Sequence, residues 1–283
     1  MNEYQFTEDF RVTDEIKRKF DEDGYIILRS VLSEKETSIL TSAVENEEGV
    51  IKYMYGHDDG DGRKIKMCLW NHPGNDVSGM LARCEKIAGT MEQLLGGEVY
   101  HYHSKLIMKE AHTGGQFNWH QDYGYWYKNG CLFPDMGSVT IAIDKSDREN
   151  GCLQIIPGSQ KLGRIDHVII GGQTGADMER VKLVMEALPL VYVTLNPGDA
   201  LYFHSNVLHR SDQNRSGRRR WAIICTYNRA SNNPVLEHHH PFYTPMTKVP
   251  NSAIGNCQQL LNMEEKDFMH PDRDKTTVSS LLA

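Results

Sequence analysis

Asn196-Pro197-Gly198-Asp199, Leu201-Tyr202-Phe203-His204-Ser205-Asn206-Val207-Leu208-His209, Asn214-Arg215-Ser216-Gly217 and Arg218-Arg219-Arg220-Trp221-Ala222-Ile223-Ile224-Cys225 follow one another as turn, strand, turn and strand. Pro, Gly, Asn and Asp favour turn backbone, while the aromatic and β-branched residues between them suit a pleated surface. The same punctuation recurs upstream, with candidate strands at 98–109, 117–123, 137–144, 151–156, 190–195, 199–204 and 219–228. The first third reads as helix. Thr13 caps a stretch stopped at Gly24, and Tyr25-Ile26-Ile27-Leu28 is a short strand. Ser33 and Glu36 form a capping box, and one apolar stripe predicts a helix over 76–95. Helices first and many short antiparallel strands after predict an α+β chain with a sandwich or jelly roll. The expected organisation is a single domain over 1–283. It has a helical part at about 1–97, a strand core at about 98–228 and a C-terminal extension over 229–283.

Composition narrows the function classes. The chain has 283 residues, of which 39% are hydrophobic and 24% charged, so it can bury a core and is not a disordered segment. Lys and Arg number 31 against 38 Asp and Glu, a net charge of −7, which argues against a nucleic-acid partner. No run approaches 18 apolar residues, so no membrane helix is expected, and the first residues do not read as a signal peptide. The six cysteines lack zinc or thioredoxin spacing and fit reduced thiols, so a cytoplasmic location is expected. Oligomeric state is open.

The chemistry begins at Trp119-His120-Gln121-Asp122. On a strand, residues two apart share a face, so His120 and Asp122 can present an imidazole and a carboxylate to one point. One histidine from the strand end at 204–209 would complete a two-histidine, one-carboxylate facial triad for Fe(II). The choice between His204 and His209 follows from a hairpin centred on Arg215-Ser216. That register sets Ser211 against Arg220 and His209 against Ala222, and puts Arg219 and Trp221 on the opposite face. Imidazole, hydroxyl and guanidinium then lie in a row suited to a dicarboxylate co-substrate, which selects His209.

Gly115-Gln116-Phe117-Asn118-Trp119-His120-Gln121-Asp122-Tyr123-Gly124-Tyr125-Trp126, Glu149-Asn150-Gly151-Cys152-Leu153-Gln154-Ile155-Ile156-Pro157-Gly158-Ser159, and His209-Arg210-Ser211 followed by Arg220 resemble the phytanoyl-CoA dioxygenase family over about 25–228. The aromatic loop is closer to its ectoine hydroxylase-like branch. The resemblance implies a double-stranded β-helix (a cupin-like jelly roll) with N-terminal helices packed on the barrel. It also implies Fe(II), 2-oxoglutarate and O₂, with hydroxylation of a small organic substrate and release of succinate and CO₂. By motif, the iron ligands fall on His120, Asp122 and His209, and 2-oxoglutarate falls on Arg220 with Ser211 beside it. Further co-substrate contacts fall at Lys105 and, near the N-terminus, Lys64. His103 shares a strand face with Lys105 and is a co-substrate candidate. Substrate candidates are Trp126 and Tyr123 in the aromatic loop, Gln116 before the motif, and Arg164 and His167 after Pro157-Gly158-Ser159. Two other readings are weighed: a cupin-type metal enzyme without 2-oxoglutarate, and a catalytically silent β-barrel that binds a ligand. His238-His239-His240 is expected in a loop, and Glu264-Glu265-Lys266-Asp267 and Asp272-Arg273-Asp274-Lys275 on a solvated surface.

Overall fold

Tyr25-Ile26-Ile27-Leu28 is apolar at every position because its strand is buried on both faces. A computed structural model describes residues 2–45, 48–170 and 173–269. In chain order its strands are β1 (Glu3–Gln5), β2 (Tyr25–Arg29), β3 (Tyr55–Asp58), β4 (Lys64–Trp70), β5 (Val99–Lys109), β6 (Phe117–His120), β7 (Met136–Ala142), β8 (Leu153–Ile155), β9 (His167–Ile170), β10 (Gln173–Ala176), β11 (Val191–Val193), β12 (Ala200–His204), β13 (His209–Ser211) and β14 (Arg220–Arg229). Eight of them form one sheet in the order β1-β2-β12-β7-β14-β5-β4-β3, four form a second in the order β11-β8-β13-β6, and β9 pairs with β10. Four strands of the large sheet come from the first 97 residues, so the expected boundary between a helical part and a strand core at residue 98 does not hold: β2 pairs directly with β12.

Alternation explains the packing. From β2 and β12, Tyr25, Ile27, Leu201 and Phe203 turn inward and meet Ile155 and Val193 of the small sheet. Their neighbours Ile26, Leu28 and Tyr202, with Ile141, Ile223 and Cys225, turn the other way. They share one buried cluster with the helical residues Ile16, Phe20, Leu40, Val44, Leu81 and Met91. Burying a side chain of this size contributes about 1.5–3 kcal/mol.

The helix ends follow the sequence. Thr13 Oγ1 accepts from the Ile16 amide at the start of the helix Asp14–Asp23, and Gly24 closes it at φ 80°, where its N–H donates to Phe20 O. The Ser33–Glu36 capping box forms in both directions: Glu36 Oε2 accepts from the Ser33 amide and Ser33 Oγ from the Glu36 amide. The single helix expected over 76–95 is three pieces: Val77–Arg83, a π-turn at Glu85–Gly89, and Thr90–Leu95. Cys84 breaks it in extended backbone because it bridges to Val249, whose carbonyl takes the Glu85 amide. The weakly periodic stretch 160–189 carries β9, β10 and a regular helix, Met178–Ala187.

The acidic run around Lys266 is not wholly solvated. Lys266 is buried, donates to Ser78 Oγ and lies 2.9 Å from Asp76 Oδ2. Residues 272–275 lie outside the described residues. Among the described residues no helix is long and apolar enough to cross a membrane.

Candidate metal and co-substrate site

The hairpin expected across 209–222 does not form. β13 pairs with β6 and β8 in the small sheet, whereas β14 pairs with β5 and β7 in the large one. His209 and Ser211 therefore face Arg220 and Ala222 across the interior rather than beside them, and all four line one chamber between the sheets. Inward-facing residues of two stacked sheets converge just as same-face neighbours of one sheet do. Arg219 and Trp221 do turn outward, Arg219 to Asp144 and Glu45. Arg218 pairs at the surface with Asp147 and Glu149.

His120 ends β6, where its Cα is the ladder partner of His209 on β13. Asp122 is not on that strand, as a 117–123 strand would have it. The chain turns after His120, and Asp122 opens the short helix Asp122–Trp126, which carries its carboxylate back under the two rings. Asp122 Oδ1 lies 3.9 Å from His120 Nε2 and 4.0 Å from His209 Nε2. All three residues are buried, and their ligand atoms lie within 4.8 Å of one another.

The ring orientation is set by the backbone. Nδ1 of His120 sits 2.7 Å from Asn118 O, and Nδ1 of His209 sits 2.9 Å from Val207 O. A carbonyl can only accept, so each Nδ1 holds the proton and each Nε2 turns its lone pair toward the common point. Burial, together with the neighbouring cations, keeps both rings below the ordinary histidine range. Burial alone would raise the Asp122 carboxyl, but Lys105, His209 and His120 outweigh it and hold Asp122 below its ordinary value. Two neutral imidazoles and one carboxylate are the donor set of a facial iron triad, and their ligand atoms lie close enough to share one ion. Ser138 Oγ donates to Asp122 Oδ2 at 3.1 Å, and the Thr226 hydroxyl lies 3.1 Å behind Ser138.

The far wall suits an anion. Arg220 is buried, and its Nε has no hydrogen-bond partner among the described residues. Burial pushes its guanidinium down to about 10. Thr140 Oγ1, lining the same chamber, is likewise unpartnered. Ser211 is buried, and its hydroxyl accepts from Lys109 Nζ at 2.7 Å. Lys109 is fully buried on β5 as the ladder partner of Arg220, and burial holds its amine well below the lysine range. Lys109 and Thr140 were missed in the sequence; strand parity from Lys105 through Ile107 to the end of β5 would have pointed to Lys109.

The remaining candidates divide. Lys105 lines the chamber. His103 is buried two residues away, with neither ring nitrogen hydrogen-bonded among the described residues, and packs against the rings of Trp126 and His240. His240 is thus buried rather than set in an open loop. Trp126 and Tyr123 are buried in a cluster with Tyr100 and Tyr102 beside the chamber, and the Tyr123 hydroxyl donates to Leu132 O. Lys64 is exposed on β4, where its strand neighbours β3, and does not reach the chamber. Gln116 points to Asp61 and lines a separate surface groove. Arg164 pairs with Asp166 and covers the Tyr127 ring. His167 is spent on backbone: Nε2 accepts from the Gln121 amide, and Nδ1–H donates to Ile165 O. It braces the turn between the two motif ligands.

The comparisons with known proteins come to the same place. Residues 20–222 match the model of the phytanoyl-CoA dioxygenase (PhyH) family. The chain is 30% identical over 252 residues to L-proline trans-4-hydroxylase of Streptomyces griseoviridis, covering 83% of this chain and 93% of that protein. It is 26% identical over 251 residues to the ectoine dioxygenase of Nocardia farcinica, covering 80% of each. The crystal structure of EctD from S. alaskensis with bound iron superposes with a TM-score of 0.71 at 24% identity, over 87% of this chain and 91% of that one. That likeness establishes the jelly-roll fold. With the family model matched over most of its length, this chain belongs to the phytanoyl-CoA dioxygenase family.

Proposed function

We propose that the protein is an Fe(II)- and 2-oxoglutarate-dependent dioxygenase that hydroxylates a small organic molecule. The observation that carries this is the pairing, in one buried chamber, of three converging metal-ligand atoms with a buried guanidinium on the opposite sheet whose Nε has no hydrogen-bond partner among the described residues. His120, Asp122 and His209 would hold the iron. Arg220, Ser211 and Thr140 would hold the distal carboxylate of 2-oxoglutarate, with Lys109 behind Ser211. When bound, the iron supplies oxidative decarboxylation of the keto acid by O₂, leaving succinate and CO₂, and transfer of the other oxygen to substrate.

The chain's own residues do the rest. The two Nδ1–H bonds to backbone carbonyls fix the imidazole planes. Ser138 occupies Asp122 Oδ2, which leaves Oδ1 turned toward the histidines. Ile107, Leu153, Phe203 and Ile224 wall the chamber with apolar surface and exclude water from it. The relatives named as L-proline trans-4-hydroxylase and ectoine dioxygenase support a small-molecule substrate, and the net charge of −7 is the ground for proposing no nucleic-acid partner. The chain would act as one domain, its helices buttressing the outer face of the large sheet. Six free thiols, five of them buried, fit a cytoplasmic setting.

The test is anaerobic titration of 2-oxoglutarate into the Fe(II) protein. A weak visible charge-transfer band and, on admitting O₂, succinate are expected, and both are lost in Asp122→Ala. A metal enzyme that works without the keto acid forms neither, and a silent binding barrel is indifferent to the substitution.

A further inference from the structure

The charges in the chamber do not balance. The charged side chains lining it are Lys105, Asp122 and Arg220, with Lys109 buried behind Ser211. A divalent iron and a dianionic keto acid cancel one another. Asp122 then answers one cation, and even with Lys109 neutral one positive charge is left over. Arg220 is spent on the co-substrate under the reading above, so the surplus falls on Lys105. Among the described residues Lys105 has no hydrogen bond or ion pair, yet it lines the same chamber as His120, Asp122 and His209. A half-buried ammonium left without a counter-charge is costly, and a substrate carboxylate would remove that cost.

We infer that the primary substrate is a small carboxylate of the amino-acid class, and that Lys105 pairs with its carboxylate. The second polar feature fits that class. His103 projects from the same face of β5, about 7 Å along the strand, with both ring nitrogens unpartnered. Its neutral ring offers one acceptor to an amino N–H beside the bound carboxylate. Trp126, edge-on, and His240, stacked, both pack against His103 and hold that ring in place.

The inference rests on the proposed function, and the experiment separates the two. The Fe(II)·2-oxoglutarate protein is mixed anaerobically with small amino acids, each alongside its methyl ester, and the visible band and succinate yield are read. Acids should perturb the band and drive succinate formation, while the esters do neither. Lys105→Met should raise the KM of the best acid by about 30-fold or more. It should move the 2-oxoglutarate KM by less than about threefold. Lys105→Arg, which keeps the charge, should restore most of the loss and shows that the site still folds. Equal behaviour of acids and esters, a panel in which no acid perturbs the band, or a Lys105→Met effect falling chiefly on the 2-oxoglutarate KM overturns the inference. Failure of the band to form with 2-oxoglutarate at all overturns instead the function on which it rests.

Discussion

His120 and His209 are direct partners across the antiparallel ladder of the small sheet, with ring centroids 4.1 Å apart. Two ligands 89 positions apart in the chain are therefore as rigidly spaced as neighbours on one element. Asp122, on the short helix after β6, depends instead on a side chain of the other sheet for the orientation of its carboxylate.

That dependence makes Ser138 testable. Its hydroxyl holds Asp122 Oδ2 and is itself backed by Thr226. Ser138→Ala should weaken Fe(II) or Co(II) binding about 10- to 100-fold while the fold stays intact. Metal titration followed by Co(II) absorption measures it, and unchanged affinity would remove Ser138 from any positioning role.

Arg220 should separate co-substrate from metal. Losing a buried charged partner costs about 2–5 kcal/mol, so Arg220→Ala should raise the 2-oxoglutarate requirement at least about 30-fold. Co(II) affinity should change little, because Arg220 lies on the opposite sheet from the imidazoles. Equal losses in both titrations would contradict the assignment.

Gly124 is packed against His167: a Cβ built there would lie 2.0 Å from His167 Cε1. Gly124→Ala should cost about 1–3 kcal/mol, lowering the denaturation midpoint. Adding His167→Ala makes room for the methyl, so the double variant should be more stable than the sum of the single losses predicts. Strict additivity in that cycle would show that the two residues do not meet.

His167 also fixes a direction of pH dependence. Burial, outweighing the hydrogen bonds to Ile165 and Gln121, pushes its imidazole down to about 4. The unfolded ring has a value near 6.5, so between about pH 6.5 and 4 the unfolded chain binds a proton that the native one does not. Its contribution is complete above the upper value and is lost as pH falls through the lower one, about 3 kcal/mol at most. Urea midpoints measured from pH 7 to 4 should fall, and fall less steeply in His167→Gln. Parallel curves for the two proteins would be the contrary result.

The sequence carried the strands and most of the site because alternation and turn chemistry are local. Thr13, the Ser33–Glu36 box and Gly24 act within a few residues, and each does in the structure what its type suggests. Sheet membership is not local. Nothing in 209–225 says that β13 and β14 separate into different sheets, and the hairpin register brought Ser211 and Arg220 together only because both arrangements direct them to one interior. The misplaced candidates share that cause. Lys64, Gln116 and Arg164 have suitable chemistry but find their neighbours through long-range packing. Cys84 breaks a well-formed helical stripe for a partner at Val249, far along the chain.

Lys266 reaches Ser78 from 188 positions along the chain, and with Asp76 it completes a fully buried cluster. At ribosomal speeds of roughly 5–20 residues per second, Asp76 is made about 10 to 40 s before the lysine that neutralises it. During that interval the Asp76 carboxylate keeps its local bonds to Ser78 and Gly79 at the start of the helix Val77–Arg83, but docking the helix would bury it without its counter-charge. The nascent chain is thus expected to hold this corner open until synthesis passes Lys266, and that interval is when a chaperone would find it.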